Sequence, residues 1–286
     1  MNDAQTGGLR RKQTWLVLRS FLAAELFKLR HSRIVKAILA TTCITPLIAI
    51  GILRGLKADT SAFPGVLQLT GGLLWVLTGV TIPLLTADWI GNEFEQGTAR
   101  MVLGRGTPRW MFVVGKGIAL LGVAVMNALT GWLIGGIAAI ISHSTLIGAA
   151  GLGEGIGALM TAGLAAVGVV ILEAAAYIGI GLFIGILTRS PAFTMLGGLG
   201  LFMGDLFLEG FTLVPGGKGR LGVFSILGNA LSLLDWLPVT MAPTSVASGQ
   251  ADTQPGTATF VLVCYAIVGI VLACSLFQRR DLGSRK

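Results

Sequence analysis

The chain has 286 residues, of which 53% are hydrophobic and only 12% are charged, and its mean hydropathy is +0.82. A soluble domain carries about 25% charged residues, so this composition excludes a soluble globular protein and indicates an integral membrane protein. The net charge of +8 would suit a nucleic-acid partner, but the basic residues cluster at the ends of apolar runs, and we expect no nucleic acid to bind. Long charge-free runs favour helices over a β-barrel, whose strands are ~10 residues long and alternate in polarity.

The first patterned segment is an amphipathic helix within residues 1–35. Five apolar residues recur at helical spacing and form one stripe: Trp15, Leu18, Leu22, Leu26 and Leu29. Basic residues such as Lys28 lie off this stripe, whereas Glu25 falls near its apolar side. A basic amphipathic helix before the first span is expected to lie in the plane of the inner leaflet, where anionic lipids attract it.

Six apolar runs are long enough to cross a bilayer, which takes ~20 residues. They cover residues 37–53, 66–87, 117–141, 156–187, 192–208 and 258–277. The fourth run is longer than one crossing requires. We therefore predict an all-α membrane protein with a single six-span domain over residues 36–278 and a short cytoplasmic tail at residues 279–286.

The basic residues give the orientation of these spans. An even number of spans places both termini on one side of the membrane. Most of the 21 Lys and Arg residues fall in the N-terminal segment, the segment 88–116, the turn at Arg189 or the tail; the exceptions are Arg54, Lys57, Lys218 and Arg220. The positive-inside rule places both termini in the cytoplasm and predicts a multi-pass membrane protein.

Residues 221–237 are apolar enough to be weighed as a seventh span. Inserting them would move the basic tail to the outside, against the positive-inside rule. The run also contains Asn229 and Asp235, and Pro238 follows it. We predict an interfacial or re-entrant helix inside a large outer loop, residues 210–257.

The most distinctive stretch is GNEFEQGTARMVLGRGTPRWMFVVGK, residues 91–116, between the second and third spans. It combines an acidic pair, a Gly-Thr step, a basic residue, a Pro-Arg pair and a Lys that opens the next span. A charged segment between two spans must lie outside the hydrocarbon, where it can meet a soluble partner. An ordinary solvated loop is the alternative interpretation.

This pattern resembles the type-2 ABC transporter permeases, and the sequence AELFKLRHSR at residues 24–33 resembles them as well. The resemblance implies that residues 91–109 form a coupling helix on an ATPase subunit, and that Glu25 and Lys28 belong to an elbow helix. The coupling residues that it implies are Glu93, Phe94, Glu95, Gly97, Thr98, Arg100 and Arg109. It also implies an exporter of two permeases, identical or different, and two ATPase subunits, with a drug, an antimicrobial peptide or a lipid-like molecule as substrate.

No phosphate-binding loop of the G-x-x-x-x-G-K-[ST] type is present in the sequence. ATP and Mg²⁺ are therefore expected on a partner ATPase, with no cofactor and no catalytic residue in this chain. The three cysteines lie in apolar runs without zinc-ligand spacing, so no metal site is predicted.

Glu173 and Asp205 are acids inside the predicted spans, each 16 residues from Arg189. If the fourth and fifth spans form a hairpin at Arg189, both acids lie ~24 Å from the cytoplasmic turn. An ionised group at such depth costs at least ~2.5 kcal/mol unless it faces protein or water. Two interpretations stay open: a polar lining of the translocation path or outer gate, and a structural hydrogen bond between helices.

Two other classes of protein compete with the exporter subunit. A secondary transporter or channel without an ATPase is the first, although residues 1–143 and 144–286 show no inverted repeat and only the former contain a long charged loop. A membrane-bound scaffold or assembly factor is the second.

Overall fold

The structure is a computed structural model that describes residues 3–55, 63–104, 107–144, 152–212, 224–235 and 254–279, and it describes most of their side chains from Trp15 onward. Within these ranges the fold is helical throughout, with no strand. The helices are α1 (Asp3–His31), α2 (Arg33–Gly55), α3 (Phe63–Thr86), a π-helical turn (Ala87–Gly91), α4 (Asn92–Glu95), α5 (Thr98–Gly104), α6 (Arg109–Ser144), α7 (Leu152–Thr188), α8 (Pro191–Thr212), α9 (Ile226–Asp235) and α10 (Pro255–Arg279).

Six of these helices are long and apolar enough to cross a membrane, which confirms the predicted number of spans within the described ranges. They are α2, α3 with its continuation to Glu95, α6, α7, α8 and α10. Helices α6 and α7 have 36 and 37 residues, so at 1.5 Å per residue each is ~55 Å long and exceeds the ~30 Å hydrocarbon core.

Helix α7 is the centre of the packing and contacts α3, α6, α8, α9 and α10. Its tightest contact is with α10, where Gly179 and Gly269 face each other and a Cβ on either residue would overlap the opposing backbone. Lipid tails are as apolar as leucine, so membrane helices associate through such close packing of small residues. The high glycine content therefore serves helix packing at this contact.

Helix α9 has 10 residues and is ~15 Å long, too short to span a bilayer. It packs against α7, α8 and α10, and Leu227, Ala230 and Leu231 are almost completely buried. The segment thus forms a short buried helix rather than a seventh span. The other parts of the predicted outer loop that surround α9, residues 213–223 and 236–253, and the tail residues 280–286 lie outside the described residues.

Helix α1 contacts the bundle through a face that matches the predicted apolar stripe only in part. Of the stripe, Leu29 is buried and Leu18 and Leu22 are half-buried, whereas Trp15 and Leu26 are exposed. Glu25 is buried and Phe21 is half-buried on the same face, and Phe27 is exposed. Gly115 of α6 permits this contact, because a Cβ there would overlap the Phe21 ring. Glu25 therefore lies on the protein-facing side of α1, and a second apolar face points away from the protein.

Candidate coupling site and intramembrane acids

Residues 87–104 form a π-helical turn and two short helices rather than one coupling helix. Helix α3 continues through the π turn into α4 without a break, and the chain then reverses at Gln96 and Gly97. Gly97 has φ = +71°, a left-handed conformation that costs glycine little, and it separates α4 from α5. The Thr98 hydroxyl donates to the Glu93 carbonyl at 3.2 Å and holds the two short helices together.

The π turn brings α3 against the start of α8. Single π turns inside α-helices are rare and often mark functional sites. The amide of Asn92 donates to the Asp88 carboxylate at 2.6 Å across the turn. Gly91 lies directly on Pro191, and a Cβ on Gly91 would overlap the Pro191 backbone. The segment is therefore fixed at this point by direct backbone contact.

Four charged side chains form a cluster that is buried except at Lys28, and we call it the junction cluster: Glu25 and Lys28 of α1, Glu93 of α4, and Lys116 of α6. The Lys116 ammonium, 0% exposed, lies 2.9 Å from Glu93 Oε1 and 3.2 Å from Glu25 Oε2. The Lys28 ammonium lies 3.1 Å from Glu25 Oε1 and 3.1 Å from Glu93 Oε1. Two cations meet two anions, so the cluster is neutral as a unit and connects three elements that are far apart in the sequence.

Aromatic groups complete the junction cluster. The Trp89 indole N–H donates to Glu25 Oε2 at 2.7 Å. The Lys116 ammonium lies 5.5 Å from the Trp89 ring centroid and 5.1 Å from that of Phe112, within cation–π range. A buried ammonium needs such partners because unpaired charge in a low-dielectric interior is strongly unfavourable.

The electrostatics of the cluster favour its ionised form. Burial alone would raise the pKa of Glu25, but the charges of Lys116 and Lys28 and the Trp89 N–H outweigh burial and lower it. Burial alone would lower the pKa of Lys28, but Glu93 and Glu25 outweigh burial and raise it. Both groups are therefore charged at neutral pH.

Two predicted coupling residues lie on the inner side of this segment. The Phe94 ring packs edge-on against Phe112 and Phe277, with centroid distances of 6.4 and 5.9 Å. The Arg109 guanidinium donates to the carbonyls of Phe277 and Gln278, at 3.3 and 2.9 Å, and so caps the C-terminal end of α10. Phe94 and Arg109 thus join α4, α6 and α10 to one another.

Other residues of the segment face outward. Glu95, Arg100 and Met101 are exposed, Met101 to 61%. An open pocket of about 420 Å³ adjoins them, and it is lined by Arg100, Leu103, Gly104, Thr107 and Arg109. The exposed surface of the segment therefore combines one acid, a basic pocket and an apolar side chain.

The structure also brings together the two acids of the fourth and fifth spans. Helices α7 and α8 form a hairpin around Arg189, which has φ = 53°. Asp205 accepts hydrogen bonds from the Tyr177 hydroxyl at 2.8 Å and from the backbone N–H groups of Ile226 and Leu227, at 3.0 and 2.8 Å. Asp205 therefore caps the N-terminus of α9 and ties α9 to α8.

Glu173 has a different environment from Asp205. Its side chain is 0% exposed, and neither carboxyl oxygen meets a hydrogen-bond donor among the described residues. Asp205 is the acidic neighbour of Glu173. The Tyr177 hydroxyl is close to both carboxyl groups, and it donates its hydrogen bond to Asp205. The sequence analysis left open a structural hydrogen bond between helices, and Asp205 makes such bonds. Glu173 makes none among the described residues.

Sequence reasoning missed three residues that organise these sites: Trp89, Lys116 as the partner of Glu25, and Tyr177. The position of Lys116 at the start of a long charge-free run was a usable signal, because a lone cation there needs an anion nearby. Trp89 and Tyr177 gave no such signal. No group of three or more His, Cys, Asp or Glu side chains within the described ranges could hold a metal ion.

Six spanning-length helices, with a charged segment folded back against them, define a multi-pass membrane protein. The sequence profile of the ABC-2 family transporter proteins matches residues 6–282, nearly the whole chain, and the chain belongs to this family. It is therefore the permease component of an ABC transporter, a transport subunit that is not itself catalytic, and such permeases typically partner with an ABC ATPase. No curated protein matches the chain at a significant level.

Proposed function

We propose that this chain is the permease subunit of an ATP-driven exporter in the bacterial cytoplasmic membrane. Two permeases, identical or different, assemble with two ATPase subunits, which bind ATP and Mg²⁺. Residues 91–109 pass the movement of the ATPase to the spanning helices. The N-terminus and the 88–116 segment face the cytoplasm, α1 lies in the plane of the inner leaflet, and α9 lies near the outer surface.

The junction cluster is the observation that carries this proposal. It fastens the predicted contact segment, through Glu93, to α1 and to the start of α6 within 3.2 Å. A plain connecting loop needs no fully buried ammonium, whereas a segment that transmits force needs a stiff attachment to the helices that it moves. Phe94 and Arg109 extend this attachment to α10. The ion pairs explain why the inner side of a surface segment is charged.

The outward residues supply the surface for the ATPase. Interfaces gain affinity from apolar side chains such as Met101 and orientation from charges such as Glu95 and Arg100. Glu93 is only 13% exposed and engages Lys28 and Lys116, so its role in coupling is to position α4. Glu95 is the acid of the pair that is free to meet the ATPase.

A small amphipathic or lipid-like cargo fits the spanning region best. The described helices enclose an apolar cavity of about 50 Å³ between α3, α6, α7 and α9, lined among others by Leu74, Trp132 and Val170. This volume admits a short apolar chain, so a whole cargo molecule enters only after the helices rearrange. Glu173 lies three residues after Val170 on α7, ~4.5 Å along the helix, and with the neighbouring Asp205 it contributes a polar region beside this route.

Copurification with the cognate ATPase tests the proposal. We expect the purified permease alone to hydrolyse no ATP, and we expect the pair to copurify and hydrolyse ATP. Glu95→Lys should weaken that association about tenfold or more, because it places a cation in a contact that selects an acid. Gln96→Lys, at the neighbouring exposed position, is the matched control.

Two outcomes would contradict the proposal. ATP hydrolysis by the permease alone would place the chemistry on this chain. Transport that needs no ATPase would favour the secondary transporter or channel.

Thiol labelling tests the proposed orientation. In a background with the three native cysteines replaced by alanine, Gln96→Cys and Ser284→Cys should be shielded from an impermeant reagent in intact cells, and Gln250→Cys should be labelled. Basic segments stay in the cytoplasm, so the tail and the 88–116 segment should behave alike. Labelling of Ser284→Cys from outside would mean that the number of spans is odd.

A further inference from the structure

The proposed function does not account for the carboxyl group of Glu173 being buried without a hydrogen-bond donor among the described residues. It lies on α7, the central helix, with 0% exposure. Neither oxygen has a donor within the described residues, whereas the neighbouring Asp205 has three. Two carboxyl groups with such different surroundings are suited to different states of protonation.

Among the described residues, the surroundings of Glu173 contain no cation that would balance an ionised carboxylate. From α8 it faces Asp205, whose carboxyl oxygens accept three hydrogen bonds. On α7 itself the nearest titratable group is Tyr177, and α10 contributes Tyr265, whose hydroxyl donates to the Phe224 carbonyl at 3.0 Å. Helix α9 contributes the polar but uncharged Ser225 and Asn229. The described charged residues of α3, its π turn and α6 lie at the cytoplasmic end: Asp88, Arg109 and Lys116.

An ionised carboxylate without a donor, beside a second carboxyl group and away from water, is strongly unfavourable. A carboxylic acid at the same place is neutral and carries no such cost. We propose that Glu173 is a proton-binding site, occupied by a proton while α9 is packed against α7 and α8, and emptied when α9 moves away and water enters. The ligand is a proton exchanged with the outer aqueous phase.

The position of α9 provides the link to movement. Asp205 holds the N-terminus of α9 through Ile226 and Leu227, and α9 packs against α7 and α8, the two helices that carry the acidic pair. Displacement of α9 would remove part of this packing and let water approach Glu173. Ionisation of Glu173 then favours the displaced arrangement, and protonation favours the closed one. A rise in pH on the outer side should therefore favour opening.

Infrared spectroscopy of the purified full-length permease in lipid nanodiscs tests the bound proton. We expect a C=O stretching band of a protonated carboxylic acid at neutral pH, and we expect Glu173→Gln to lose it. Glu95→Gln removes an exposed glutamate and should keep the band. The amide in Glu173→Gln imitates the neutral acid in size and charge, so this variant should fold as well as the wild type does. A missing band in the wild type, or a band that survives Glu173→Gln, would overturn the proposal.

The rate of thiol labelling tests the link to α9. Ala230→Cys, at a position that is 0% exposed, reports displacement of α9 in the background without native cysteines. The labelling rate of Ala230→Cys is measured once with the native Glu173 and once with Glu173→Gln added. Dividing the first rate by the second cancels the pH dependence of the thiol itself. We expect this ratio to rise with pH, by at most about tenfold per pH unit for one proton. A ratio that does not change with pH would overturn the link, and neither test involves the ATPase, so their failure leaves the exporter assignment intact.

Discussion

Lys116→Met should destabilise the permease by ~3–5 kcal/mol, the typical cost of removing one partner from a buried ion pair. The Lys116 ammonium is fully buried and lies 2.9 Å from Glu93 and 3.2 Å from Glu25. Methionine retains most of the side-chain volume, so the loss reports the missing charge rather than a cavity. Unfolding by heat or denaturant in detergent, followed by tryptophan fluorescence, measures the change.

Lys28→Met is the matched control, because Lys28 contacts the same two carboxylates. Its side chain is 47% exposed, and ion pairs near the surface contribute ~0–1 kcal/mol. We expect Lys28→Met to cost much less than Lys116→Met. Adding Glu93→Gln to Lys116→Met should recover part of the loss, since it removes one of the two carboxylates left facing each other. Equal effects of the two lysine variants would mean that burial is not decisive at this cluster.

The pH dependence of these variants follows from the same geometry. The pKa of Glu25 is held below its ordinary value, so its ionised form adds stability above the ordinary pKa, and this stability is lost as the pH falls through the lowered pKa. In Lys116→Met the main stabilising cation is gone, and acid protonates the carboxylates that repel each other. The difference in stability between the wild type and Lys116→Met should therefore shrink as the solution is acidified.

Asp205→Ala should detach α9 from the bundle. The substitution leaves three buried donors without an acceptor, namely the Tyr177 hydroxyl and the N–H groups of Ile226 and Leu227. A buried polar group left unsatisfied costs ~1–3 kcal/mol, so three such groups give an expected total loss of ~3–9 kcal/mol. Labelling of Ala230→Cys in this background should rise at least tenfold, as the loss exceeds the 1.4 kcal/mol that corresponds to a factor of ten.

Two control variants distinguish the loss of the Asp205 cap on α9 from a general loss of stability. Asp205→Asn keeps one oxygen that can accept hydrogen bonds, so its effect should be intermediate. Ser225→Ala removes only the hydrogen bond from the Gly228 N–H at 2.7 Å and should cost ~0.5–2 kcal/mol. If Asp205→Ala leaves both stability and labelling at the values of Ser225→Ala, the cap does not hold α9 in place.

The helical fold could be predicted because the signals for it are local. Charge-free runs define six spans whatever their neighbours are, and Asn229 in an otherwise apolar run indicated a helix that does not cross the membrane. The π turn at Ala87–Gly91 and the reversal at Gly97 could not be predicted in the same way. They depend on contact with Pro191 and on the backbone conformation at one residue, and neither has a periodic signature.

The candidate sites could be predicted only as a set of residue types. The sequence pointed to Glu93 and Glu25 as charged residues of two separate segments, but their common partner, Lys116, lies 91 residues from Glu25 along the chain. Glu25 was noted because it departed from an amphipathic pattern, and burial against a lysine explains this departure. Glu173 and Asp205 could be predicted to lie close together because each is 16 residues from the turn at Arg189. Their different hydrogen bonding could not be predicted, because it depends on the position of α9.

The unbroken path of α3 through the π turn into α4 has a mechanical consequence. The rod from Phe63 to Glu95 touches Pro191 at Gly91, and this contact acts as a fulcrum. At 1.5 Å per residue, the short arm from Gly91 to Glu95 measures ~6 Å, and the long arm from Gly91 to Thr70 measures ~32 Å. A rigid rod of these proportions would multiply displacement about fivefold. If α3 moves as one body, a displacement of one ångström at Glu95 would shift Thr70, which lines the apolar cavity, by several ångströms.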